Sequence, residues 1–400
     1  MLQDNEVLEK SAETDAVGVV PQVLAVRQLN LTNFRSYPSL HLSLSASPVI
    51  LTGANGAGKT NILEALSFLS PGRGLRGSKL TEVDCCSGAV SLQVPWAVSA
   101  TIEGTSGACQ VGTGRDPSGS SDRAKRVVRI DGQPMRGQAE LANVFSVIWL
   151  TPAMDQLFQA ASSDRRRFLD RLVYNFDPVH AQRVAKYEYV MRERAKLLQQ
   201  PRKDEGWLKT LEQKMAESAV SIAAARLEAV EVLQQAILRA TTSFPKAYLA
   251  LDGTLETWLQ QMPALHAEER YSEGLYKNRE MDAYSGRTNL GPHRTDLAVT
   301  HVAKAMPAAL CSTGEQKALL LAIILAEARA RAEWKGTVPV LLLDEVVAHL
   351  DANRRESLFS ELQELRTQAW LTGTDALLFE GFQGEVQHLT VNQGKVTYLP

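Results

Sequence analysis

Cysteine is scarce in this chain of 400 residues, which has only Cys85, Cys86, Cys109 and Cys311. None belongs to a C-x-x-C pair, and no histidine stands near them at zinc-ligand spacing. A disulfide framework and a structural zinc are therefore excluded as organising devices, and reduced thiols in a cytoplasm fit the pattern. Net charge is lacking as well: 43 basic side chains against 45 acidic ones give −2. Any contact with nucleic acid must then use local basic patches, because the overall field is not positive. Long hydrophobic runs are also missing. The longest, near 318–325 and 338–343, are too short to span a bilayer, so no membrane partner is expected. Residues 1–22 are acidic and polar, with no basic stretch leading into an apolar one. They read as a mobile tail rather than a signal peptide.

The rest is ordinary for a soluble globular protein, with 44% hydrophobic and 22% charged residues, and long enough to bury a substantial core. From residue 23 strand signals dominate. Leu40, Leu42 and Leu44 alternate with His41 and Ser43, and "SPVILTG" is a short buried strand ending at glycine. Further strands are predicted at 91–103, 108–112, 126–130 and 144–152, with Asp131-Gly132 as a hairpin turn and 113–125 as a polar loop. From about 155 the texture is helical. Val184, Tyr187, Met191, Ala195 and Leu198 keep a 3–4 spacing, and Leu208, Leu211, Met215, Ala219 and Ile222 repeat it after "QPRKDEG". Two helices packed as a short antiparallel arm are expected. After about 285 the α/β pattern returns: a helix over 314–334, a buried strand over 338–345, a helix near 352–367 and a strand at 369–372. The expected organisation is an α/β head over 23–155 and 285–400, interrupted by a helical insertion over 156–284.

"GANGAGKT", from Gly53 to Thr60, fits G-x-x-x-x-G-K-[ST] without deviation and lies between a strand and a helix. Gly53, Gly56 and Gly58, with Ala54, Asn55 and Ala57 between them, let backbone N–H groups converge on phosphate oxygens, aided by the helix start. Lys59 should reach the β- and γ-phosphates of ATP, and the Thr60 hydroxyl should ligate Mg²⁺. "LLLDE" sets Asp344 and Glu345 where a buried strand emerges. Adjacent strand residues point to opposite faces, so Asp344 is expected near the metal and Glu345 near the attacking water, as general base for hydrolysis. The bland reading of this pair is an acidic strand cap.

"CSTGEQKA" (311–318) opens the helix that precedes that strand. Ser312 is a good N-cap and Glu315 follows three residues on, so a capping box alone explains the loop. A wider pattern gives it a second meaning. A phosphate loop, an inserted region, a serine-glycine loop and an acidic strand follow in the order of an ABC-type ATPase. Further segments run with these: "LNLTNFRSYPSLHLSL" (29–44), "GANGAGKTNILEAL", "RGLRGS" (73–78), the run Arg165, Arg166, Arg167, Phe168, Leu169, Asp170, "GPHRTDL" (291–297), "STGEQK" and "LLLDEVVAHLD". Through them nearly the whole chain resembles the RecF family of bacterial recombination and repair ATPases.

The resemblance implies an ABC-type P-loop head in which two copies pack head-to-tail on ATP. Ser312 and Gly314 would then approach the γ-phosphate held by a partner copy, reinforced by Lys317, and Asp351 would lie at the dimer contact. It further implies binding to duplex and gapped DNA near single-strand/double-strand junctions, with RecO and RecR helping RecA onto the gap, and slow hydrolysis releasing the protein. Ala348 stands where related ATPases often have serine, and "TGTD" (372–375) carries no switch histidine. Ala153 after "TP" puts a nucleotide-sensing role for Asp155 or Gln156 in question.

Candidate DNA contacts are Arg123, Lys125, Arg126 and Arg129, and Arg73 with Arg76. For Arg165 to Arg167, packing or internal ion pairs are the stronger reading. For His293 and Arg294 it is structural positioning, with ATP contact second. Arg35 is a further candidate near the nucleotide. The rival readings are an SMC-like structural head, a transporter ATP subunit, and a nucleotide-gated binding protein with negligible turnover. The first would need far more helix between the phosphate loop and Ser312. The second fits poorly with the insertion and the missing histidine.

Overall fold

The computed structural model describes residues 22–85, 94–104, 107–116, 125–202 and 204–399. At its centre is a six-stranded sheet in the order Lys395–Tyr398, Gln387–Asn392, Val49–Thr52, Ala369–Gly373, Val340–Leu343, Val147–Leu150. All neighbours pair parallel except the antiparallel edge strand 395–398. The strands 49–52 and 340–343 are buried at every residue, which is why they read as continuous apolar runs. Their alternation sorts them between two cores. Ile50, Leu341 and Leu343 face one side, against the long helix Thr313–Lys335 and the helix Ser162–Phe176. Val49, Leu51, Val340 and Leu342 face the other, against the helix Lys59–Ser67.

Over that second core lies an antiparallel sheet, ordered Tyr37–Ser43, Ala25–Phe34, Ala97–Gly104, Gly107–Arg115, Arg126–Ile130, Gln133–Pro134. Leu29, Leu31, Val98, Ala100, Ile102 and Val111 point inward. Phe34, Phe68 and Trp96 lock the sheet to the end of the phosphate-loop helix, with ring centroids 4.9–5.9 Å apart. Asp131 and Gly132 have φ of 48° and 77°, the left-handed pair that a tight two-residue hairpin needs. The predicted loop at 113–125 begins later than expected, because Thr113 and Gly114 still pair with both neighbouring strands and Arg115 with the strand Arg126–Ile130. Residues 1–21 lie outside the described residues, as do Cys86 and Arg123.

The helical region runs through His180–Leu198, Glu205–Arg239, Thr254–Gln261, Ala264–Lys277 and Arg279–Ser285. The first two form the expected arm, packed through Tyr187, Val190, Leu208, Leu211 and Met215. At 19 and 35 residues they are too short for a long coiled coil. Asp204 caps the second, its carboxylate accepting the Trp207 N–H at 2.9 Å. This region is not purely helical. Ala247–Asp252 is a strand, antiparallel to Asp296–His301, so a small sheet bridges the boundary expected at 284–285. Its signal was legible, with Ala247 and Leu249 buried around the exposed Tyr248. Among the described residues, no helix is long and apolar enough to cross a membrane.

Candidate functional site

The phosphate loop leaves the strand Val49–Thr52 and re-enters structure at Lys59. Gly53 has φ 148°, and a Cβ there would stand 2.2 Å from the Val391 carbonyl oxygen. Gly58 has φ 116°, and its Cβ would meet Tyr37 Oη at 2.7 Å. Both positions therefore require glycine on conformation and on space. The Tyr37 hydroxyl donates to the Gly58 carbonyl at 3.1 Å and holds the turn from behind. Ala54, Asn55 and Gly56 are exposed. Lys59 Nζ folds across the loop, donating to the carbonyls of Gly53 (2.7 Å) and Ala54 (3.0 Å). Burial lowers its pKa, and Glu345 and Asp344 oppose that shift.

Parallel pairing brings the acidic strand end to this loop. Thr60 Oγ1 lies 3.0 Å from both carboxylate oxygens of Asp344. Asp344 is 4% exposed, and burial raises its pKa. A hydroxyl and a carboxylate so close together offer hard oxygen donors of the kind Mg²⁺ takes. The opposite-face argument from strand alternation does not hold for Asp344 and Glu345. The strand ends at Leu343, and Glu345 turns away through a left-handed backbone with φ 53°.

One residue joins the two acids and was missed from sequence. Thr372 Oγ1 donates to Asp344 Oδ1 at 2.8 Å and accepts the Glu345 N–H at 2.8 Å. It sits in "TGTD", the segment that carries no switch histidine. Thr372→Val keeps the shape and removes both bonds. It is expected to cost about 1–3 kcal/mol in urea unfolding. A loss below about 0.5 kcal/mol would show that the hydroxyl does not hold this cluster.

Behind the loop, Glu64 is fully buried and serves Arg35 (2.9 and 2.7 Å), Arg76 (2.9 Å) and Ser78 (3.2 Å). Arg35, the candidate near the nucleotide, pairs with the phosphate-loop helix and donates to the Glu82 carbonyl at 2.6 Å. Arg76 shares the pairing with Glu64 while staying exposed, and Arg73 is exposed too.

The loop at the start of the long helix has the expected cap. Glu315 Oε2 accepts from the Ser312 N–H at 3.0 Å and from its hydroxyl at 2.9 Å. Lys304 pairs with Glu315 and is the main reason its pKa falls to about 2. Ser312, Thr313 and Gly314 are exposed, and Leu310 beside them is 73% exposed. Asp351 shares this corner. Arg354 donates to the Gly314 carbonyl at 3.3 Å and lies 3.5 Å from Asp351, which also caps the next helix by accepting the Arg354 N–H. Nothing in the sequence marked Arg354 for this bridge.

Lys317 departs from the outward role expected of it. It is 3% exposed, and its ammonium faces inward, 3.3 Å from Asp155. A helix residue five positions after an exposed N-cap falls on a different face, here the one packed on the loop after Val147–Leu150.

The basic clusters also separate. Arg126 is internal, donating to the carbonyls of Phe68, Ser70 (3.2 Å) and Gly72 (2.7 Å), and burial lowers its pKa to about 10. It closes the end of the phosphate-loop helix, while Lys125 and Arg129 stay exposed. Arg165 pairs with Asp296 at 2.6 Å and Arg166 donates to the Thr295 carbonyl at 2.8 Å, whereas Arg167 is exposed. His293 stacks on Tyr187, whose hydroxyl lies 2.8 Å from Nδ1, while Nε2 lies 2.8 Å from the Thr288 carbonyl. The pairing with a carbonyl fixes the Nε2–H tautomer, and burial lowers the pKa.

Residues 25–397 match the family model described as RecF/RecN/SMC N terminal domain. A protein of Mesorhizobium japonicum described as DNA replication and repair protein RecF is 47% identical over 94% of this chain and 98% of its own length. One of Brucella abortus with the same description is 45% identical over 94% and 97%. A solved structure described as the recombination mediator protein RecF-ATPrS in the RecFOR pathway superposes with a TM-score of 0.81, at 22% identity, covering 95% of this chain and all of its own. An Smc head domain from Pyrococcus furiosus, bound to a domain of ScpA, gives 0.53 at 14% identity, covering 94% and 96%.

Proposed function

Because this chain belongs to the RecF family of DNA replication and repair proteins, we propose that it is an ATP-dependent DNA-binding protein of recombinational repair. ATP binds at Gly53–Thr60, with Lys59 on the β- and γ-phosphates. When bound, Mg²⁺ neutralises phosphate charge, and Thr60 and Asp344 are the residues that would hold it. Glu345 orients water for in-line attack. The observation that carries this reading is the meeting of Thr60, Asp344, Thr372 and Glu345 at the mouth of a glycine loop that tolerates no side chain at Gly53 or Gly58.

ATP also joins two copies. The exposed Ser312 and Gly314 approach the partner's γ-phosphate, with the helix N-terminus adding its dipole. Asp351 lies at the contact, and the exposed Leu310 supplies apolar area there. The ATP dimer closes over duplex and gapped DNA near single-strand/double-strand junctions, and slow hydrolysis releases it. RecO and RecR act with it to load RecA, in line with the RecFOR pathway named for the solved relative. It works in the cytoplasm.

Sizing in solution tests this. The wild-type chain should shift from monomer to dimer with ATP, and further with duplex DNA. Ser312→Arg should retain ATP binding within about threefold yet stay monomeric, because the added side chain occupies the partner's phosphate position. Dimerisation unchanged in that variant removes the cross-subunit assignment, and wild-type protein that never binds DNA at moderate salt removes the repair reading.

A further inference from the structure

We propose that a small oxyanion binds in a cavity at the free edge of the central sheet, between Arg171 and Arg331. The strand Val147–Leu150 is the last in the sheet, so among the described residues its outer side has no strand partner. Beside it lies a cavity of about 50 Å³ lined in part by Ser146, Trp149, Arg171, Tyr174, Asn175 and Arg331. A single water needs roughly 10–15 Å³, so the space exceeds one water.

Its polar walls are short of partners. Ser146 is 8% exposed, and its buried hydroxyl has none. Arg331 is also 8% exposed. One of its Nη groups donates to the Asn175 carbonyl, while its buried Nε has no partner. Arg171 is stacked on Trp149 (4.7 Å) and Phe168 (5.2 Å), which fixes its plane. Its acceptors are the Trp149 carbonyl at 3.3 Å and the Met154 thioether at 3.6 and 3.7 Å, a long contact and a weak acceptor. Buried donors are nearly always satisfied, so the Ser146 hydroxyl and the Arg331 Nε–H call for an acceptor.

Charge selects the sign of the ligand. The acid that both arginines face is Glu327, 1% exposed, whose Oε1 accepts from Asn175 while its buried Oε2 has no partner. Burial raises its pKa to about 7, which weakens even that opposing charge. Two guanidiniums against one carboxylate leave a positive charge uncompensated, and guanidinium N–H groups with a hydroxyl match an oxyanion's lone pairs. The place is separate from the phosphate loop. Ser70 and Pro71, beyond the far end of the helix Lys59–Ser67, line the same cavity.

The test uses inorganic phosphate and the full-length Lys59→Ala protein, in which anion capture by the glycine loop is weakened. At constant ionic strength, phosphate is expected to raise the unfolding temperature saturably and to give one-site binding heat. Arg331→Gln in that background should weaken binding about tenfold or more, and Ser146→Ala about threefold. If Arg331→Gln does not fold, Ser146→Ala and Arg171→Lys decide the matter. The proposal is overturned by stabilisation that sodium chloride reproduces at equal ionic strength, by no saturable heat, or by affinity unchanged in the folded variants.

Discussion

Glu345→Gln protein, given ATP, Mg²⁺ and duplex DNA, is expected to accumulate as an ATP-bound dimer that stays on DNA while hydrolysis falls by about 10²-fold or more. The amide keeps the size of the side chain but can no longer accept the water's proton. The backbone should hold its place, because the turn at Glu345 is fixed by its own N–H to Thr372, a bond the substitution does not touch. Asp344 keeps Thr60 and Thr372 as partners, so nucleotide and metal affinity should change little. If ATP joins two copies, blocking its hydrolysis holds the dimer by mass action. The measurements are single-turnover hydrolysis, sizing and the lifetime on DNA. Hydrolysis within about threefold of wild type would remove Glu345 as the general base. A wild-type protein with no turnover, unaffected by the change, would favour the nucleotide-gated binder instead.

The second large effect lies in the helical region. Arg194 is fully buried and donates to Glu212 (3.0 Å), Asp282 (2.7 Å), Thr288 (3.4 Å) and the Leu275 carbonyl (2.7 Å). One guanidinium thus joins the two arm helices to the helices that follow. Arg194→Ala leaves Asp282 buried, with Asn289 as its remaining partner at 3.3 Å. Removing one member of a buried ion pair costs about 3–5 kcal/mol. Arg27→Ala provides the contrast, since Arg27 and Glu103 are 38% and 48% exposed, and a pair of that kind contributes about 1 kcal/mol or less. Equilibrium urea unfolding of both variants measures the difference. Equal losses would show that the Arg194 cluster does not hold the arm.

Some of this was legible from residues alone. A buried strand, a glycine loop and a helix announce themselves within a dozen positions, because apolar alternation, φ > 0 and helix capping are local requirements. The Ser312–Glu315 cap was readable for the same reason, as was the Asp131-Gly132 turn. The strand Ala247–Asp252 carried its own alternation, yet it lies in a segment dominated by helices and its partner comes after the insertion.

What could not be read is which distant groups meet. Thr372 reaches Asp344 only because two parallel strands set their ends side by side. Arg165, Arg166 and Arg167 are adjacent in sequence, but Asp296 and the Thr295 carbonyl take the first two and leave the third to solvent. Arg126 and Arg129 look alike until the end of the phosphate-loop helix claims one of them. Lys317 seemed to belong with Ser312, and helix geometry turned it inward to Asp155. The sequence by itself determined the phosphate loop, the acidic strand end and the exposed capped loop, since each is written in contiguous residues. Only the tertiary structure decided which charges are spent on holding the fold and which remain for a ligand, because a side chain's partner is set by strand order and helix face rather than by its neighbours in the chain.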